Sequence, residues 1–102
     1  MNSEETREAT LAMIRSAMDG GCPFPVSMHV SEDGLYVVLQ TATVTGVRKW
    51  AAALWLREPE SIVYQREDHT WRRLTRTGPA VFAGVCWSVS SYQSVSEQEA
   101  GL

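Results

Sequence analysis

Two periods of apolar and polar positions run along this chain, and the places where one gives way to the other mark its elements. From Gly34 to Pro59 a strand pattern passes through a threonine-rich turn into a helix pattern. Leu35, Val37 and Leu39 point one way, while Tyr36, Val38 and Gln40 point the other. Both faces are largely apolar, which predicts a central strand. Val47, Trp50, Ala51, Leu54 and Trp55 then recur at i, i+3, i+4, i+7 and i+8. That spacing predicts an amphipathic helix from Val44 to Leu56, capped by one of Thr41, Thr43 or Thr45 and ended by Pro59. This stretch organises the fold.

Before it, Leu11, Ile14, Ala17 and Met18 form a narrow helical stripe. Ser3 is its expected N-cap, Glu4 and Glu5 suit its first turn, and Gly20-Gly21 its end. Cys22-Pro23-Phe24-Pro25 is an extended connector, because prolines at that density forbid helix. Val26, Met28 and Val30 alternate with Ser27 and His29 as a half-buried strand. Ser31-Glu32-Asp33-Gly34 then reads as a hairpin turn.

After Pro59, Ile62 to Glu67 predicts a third strand, with Ile62 and Tyr64 on one face and a turn at Asp68-His69. Thr70 to Thr77 predicts a fourth, and its polarity predicts an edge or a solvent-facing position. Gly78-Pro79 reads as the next turn and Ala80 to Val89 as an apolar fifth strand, with Gly84 at a bulge. The serine- and glutamate-rich end predicts a single domain over residues 1–92 and a disordered tail over 93–102. The fold class expected is α+β, in the order α-β-β-α-β-β-β. It would hold an antiparallel sheet of four or five strands with helices packed on one face.

Composition changes this picture little. Of the 102 residues 44% are hydrophobic and 21% charged, as in an ordinary soluble domain. Net charge is -3, with acids towards both ends and seven of the nine basic residues between Arg48 and Arg76. The N-terminal residues lack the pattern of a secretory signal, and no apolar run reaches the roughly 20 residues of a membrane span. Cys22 and Cys86 are expected as free thiols, so a cytoplasmic location is expected. Eight arginines against one lysine, with abundant Ala, Val and Gly, point to a GC-rich bacterial or phage genome.

Chemistry is sparse. His29 and His69 are the only histidines, and no CxxC, HxxxH or HExxH spacing occurs, so neither metal nor cofactor is expected. There is no G-x-S-x-G turn and no glycine-rich phosphate loop. Cys22 lacks a helix N-terminus to activate it, and Cys86 reads as a small core residue. Catalysis is therefore not expected.

The strongest candidate surface is the hairpin from Arg66 to Arg76. There Arg72 and Arg76 share one face, Arg73 takes the other and Trp71 lies between them. Four tryptophans exceed what a small core holds, so Trp55 or Trp71 is expected at an interface. The candidate contact residues are Arg66, Trp71, Arg72, Arg73, Arg76 and Trp55.

With Trp50-Ala51-Ala52-Ala53-Leu54 and its flanking strands in view, residues 26–90 resemble small uncharacterised actinobacterial α/β proteins, often of phage or mobile-element type. That resemblance implies an accessory or regulatory binding role and no catalytic residues. The function expected is non-enzymatic protein binding, as a homodimer. Alternatives are a nucleic-acid-binding regulator using the Arg66–Arg76 hairpin, against which a pI near 5.3 argues, and a small-molecule pocket lined by Trp50, Trp87 and Tyr36.

Overall fold

The computed structural model describes residues 2–101. Two helices lie on one face of a five-stranded mixed sheet, in the order α1 (Ser3–Asp19), β1 (Ser27–Val30), β2 (Tyr36–Thr41), α2 (Val44–Ala53), β3 (Glu60–Gln65), β4 (Trp71–Phe82) and β5 (Val85–Val95). The sheet order is β1-β2-β5-β4-β3. All neighbours are antiparallel except β2 and β5, which run parallel. The sheet is thus antiparallel-rich rather than wholly antiparallel, because α2 and the β3–β4 hairpin carry the chain from β2 round to β5.

Local chemistry explains the helix ends. Asn2, not Ser3, caps α1, its Oδ1 accepting the Glu5 N–H at 2.9 Å. Thr43 caps α2, accepting the Gly46 N–H at 3.0 Å. Leu54 closes α2, two residues before the expected end. Beyond it, Leu56 N–H reaches Ala51 O and Trp55 N–H reaches Ala52 O, the paired bonds of a Schellman stop.

Ile14 of α1 and Val47, Trp50 and Leu54 of α2 meet Val37, Leu39, Val85, Trp87 and Val89 of the sheet in one core. Trp50 and Trp87 are fully buried, and each satisfies its indole N–H on a carbonyl, of Pro23 and Phe82 respectively. α1 is pinned over the β1–β2 turn by Thr10, whose hydroxyl donates to Gly34 O at 2.8 Å. A Cβ on Gly34 would stand 2.5 Å from Arg7 Cα, and its φ is 75°, so only glycine allows this approach.

Three strand assignments differ from expectation. Gly78-Pro79 is no turn: β4 runs through it as a bulge, two residues facing Ser88 alone. The turn is Ala83-Gly84, with φ of 55° and 76°, the doubly left-handed geometry that suits a two-residue hairpin. β5 consequently starts at Val85 and continues to Val95, into the region expected as a disordered tail, and residues 96–101 form a hydrogen-bonded turn. The polar β4 is an inner strand, and β3 is the edge. β4 is solvent-facing rather than an edge: Arg72 and Arg76 lie on its face that carries no helix.

That last feature shapes the molecule. Its extents are 52 × 27 × 20 Å and its radius of gyration is 15.1 Å, against about 13 Å for a compact chain of this length. The sheet outruns the helices. α2 packs on β2, β4 and β5. On β3 the consecutive residues Ile62 and Val63 point to opposite faces, yet are 52% and 38% exposed. β3 and the adjoining ends of β4 and β5 form an arm open to solvent on both sides. Among the described residues no helix is long and apolar enough to cross a membrane.

Candidate functional site

Strand alternation sorts the candidate residues onto two surfaces. On the sheet face away from the helices, cross-strand rows run Glu60–Arg76–Ser90, Ile62–Leu74–Tyr92 and Tyr64–Arg72–Ser94. An apolar row therefore lies between two polar ones, each holding an arginine. Farther along the same face stand Tyr36, 60% exposed, and Val38. Both were expected to be buried in a central strand. They are not, because both helices occupy the opposite face and β2 is second from the edge.

Trp71 and Arg73 lie on the other face of the arm, in the rows Gln65–Trp71–Val95 and Val63–Arg73–Gln93. Arg72 and Arg76 are thus together on one face and Trp71 with Arg73 on the other, as the strand alternation predicts, so Trp71 does not lie among all three arginines. Arg66 sits at the hairpin tip, where its N–H donates to Thr70 O at 2.8 Å. Trp55 is 82% exposed in the connection from α2 to β3. Its φ of 54° puts a bulky side chain in the left-handed region usually reserved for glycine at a helix stop. A residue that strains the backbone and buries almost nothing is explained by contact better than by folding.

The margin between covered core and arm is a row of hydroxyls on the helix face: Ser61, Thr75, Ser91 and Thr41, one per strand from β3 to β2. Ser61 and Thr75 are hydrogen-bonded at 2.7 Å, and Thr41 donates to Thr43 O at 2.8 Å. Ser91 Oγ is buried without a partner among the described residues. Such a row caps the apolar core where the helix layer ends.

Titratable groups are arranged for structure. The Asp33 carboxyl is held below its ordinary range chiefly by the Leu35 N–H and then by the Ser31 hydroxyl. Asp68 is lowered likewise by the hydroxyl and N–H of Thr70. Both carboxylates thereby shape the turns at the ends of hairpins. Burial pushes the Cys22 thiol up, against a smaller opposing effect of Lys49. Cys22 donates weakly to Lys49 O at 3.5 Å, so it is not primed as a thiolate. Cys86 is half-buried on the open face, opposite Tyr36, and not in the core. Both cysteines are free.

His29 is on β1 and His69 in the β3–β4 turn, at opposite edges of the sheet. Among the described residues no three His, Cys, Asp or Glu side chains lie close enough together to hold a metal ion. Trp50 and Trp87 are sealed in the core while Tyr36 faces away from it, so these three do not line a common pocket. An open groove of about 730 Å³ lies between α1 and α2, lined mainly by Met13, Ala17, Cys22, Ala52 and Phe82.

The open-face residues Tyr36, Val38, Leu74 and Tyr92 were missed as surface. The alternation of Val85, Trp87, Val89 and Ser91 continues through Gln93 and Val95, and following it places Tyr92 opposite the core. No family model matches the chain, and no curated protein or solved structure matches it.

Proposed function

We propose that the chain is a non-enzymatic protein-binding domain, acting as a cytoplasmic accessory or regulatory factor and working as a homodimer. The observation that carries this reading is the arm. Ile62, Val63 and Tyr92 are exposed on a sheet extension that no helix covers, although the same chain seals Trp50 and Trp87 completely. An apolar surface flanked by arginines is what protein interfaces use, with aromatic and arginine side chains as their usual anchors. The strained, exposed Trp55 adds a further anchor beside the arm's first strand. Two free cysteines fit a reducing compartment.

Light scattering on the eluting chain across a dilution series tests the homodimer. The expected mass is twice the 11.4 kDa of one chain. A single-chain mass at every concentration removes the homodimer.

A second reading is favoured by one observation: Arg72 and Arg76 share the open face with Tyr64 and Tyr92, the mixture of cation and aromatic that single-stranded nucleic acid requires. The net charge of -3 opposes it. A mobility-shift titration with mixed single-stranded DNA and RNA at low salt decides, since phosphate contacts are strongest there. Retardation that weakens on adding salt and on Arg72→Ala supports nucleic acid.

A further inference from the structure

We infer that the partner surface of the homodimer is the free edge of β3, paired antiparallel with β3 of a second copy about a two-fold axis at Val63. The inference rests on the homodimeric reading above and gives it a place and a register.

The edge is chemically open. Arg66 N–H bonds inward to Thr70 O, directly opposite it in the β3–β4 register. Antiparallel pairing alternates inward and outward groups residue by residue. Glu60, Ile62 and Tyr64 therefore spend their backbone groups on β4. Ser61, Val63 and Gln65 turn N–H and C=O outward, where no strand lies. Ser61 to Gln65 contains no proline, glycine or charge, the devices by which proteins block such an edge. The other edge, β1, is only four residues long and follows Pro23 and Pro25.

The sequence of β3 is complementary to itself in one register. Centred on Val63, Ser61 faces Gln65 of the second copy, so all three outward residues of each strand are used, giving about six new hydrogen bonds. On the open face Ile62 then meets Tyr64, an aliphatic–aromatic pair. Glu60 meets Arg66, placing opposite charges together at both ends of the interface. Moving the centre to Ile62 leaves Gln65 opposite Pro59, which has no N–H. Moving it to Tyr64 sets Glu60 against Asp68. With the axis perpendicular to the sheet, both open faces point the same way, and two five-stranded sheets join into one.

Three variants test this by sedimentation equilibrium, with circular dichroism to follow the fold. Val63→Pro removes an outward N–H and leaves the bonds to β4 in place, so a folded monomer is expected. Glu60→Arg and Arg66→Glu, made singly, each weaken association roughly tenfold by setting like charges together at two symmetric sites. The double variant restores it to within about threefold of wild type. Wild-type dimers that persist in Val63→Pro and ignore the charge exchange overturn the β3 edge while leaving the homodimer standing. A monomeric wild type overturns both. If Val63→Pro unfolds, the charge exchange alone decides.

Discussion

Trp87 and Tyr92 lie five residues apart on one strand, in opposite surroundings. Trp87 is fully enclosed by α2 and its neighbours, with its indole N–H on Phe82 O at 3.1 Å. Tyr92 is 44% exposed on the opposite face of the same strand, which carries no helix. Both belong to the same hydrogen-bonded ladder with β4, so backbone pairing does not separate them. The helix layer does. Covering one face of a sheet turns its apolar side chains into a core, whereas the uncovered face keeps backbone order without burial and offers its side chains to a partner.

The comparison breaks most visibly at Trp87. Trp87→Ala should cost about 3–5 kcal/mol in urea unfolding, from lost burial and the cavity left behind. A loss as small as that of a surface residue would mean that the covered face is not the core. Trp55→Gly should act in the opposite direction, raising stability by about 1 kcal/mol as the left-handed stop is relieved. If the same variant leaves association unchanged, Trp55 is no part of the interface.

Ser91→Ala should be neutral or stabilising by up to about 1 kcal/mol, because it removes a buried hydroxyl that has no partner among the described residues. A clear destabilisation would assign that hydroxyl a bond at the margin of the core. The smallest effect on folding is expected for Tyr92→Ala. In the monomer it should shift stability by no more than about 0.5 kcal/mol, as for other exposed positions. Thermal unfolding measured in the monomeric Val63→Pro background isolates that value from any contribution of association.

The arm was partly legible. Alternation places Ile62 with Tyr64 and Arg72 with Arg76, and these pairs do share the open face. The outward turn of Tyr36 and Val38 was not legible, since an apolar two-sided strand reads alike whether one layer of helices or two will cover it. Nor could the polar β4 be told from an edge strand. Arg72 and Arg76 are tolerated in an inner strand because they lie on the face that carries no helix, and Arg73 because it lies on the arm, beyond the reach of the helices.

Local interactions determined what the sequence alone could tell: two helices and five strands in their order, the helix faces, and the Asp33-Gly34 turn. All depend on residues within a few positions of one another. Tertiary structure decided the rest. Gly78 and Gly84 both carry turn chemistry, but the pairing of β4 with β5 makes one a bulge and the other a hairpin. The parallel alignment of β2 with β5, the place of β3 at the edge and the reach of the sheet beyond its helices depend on contacts between residues far apart in the chain. No local period records which strand will be left without a neighbour.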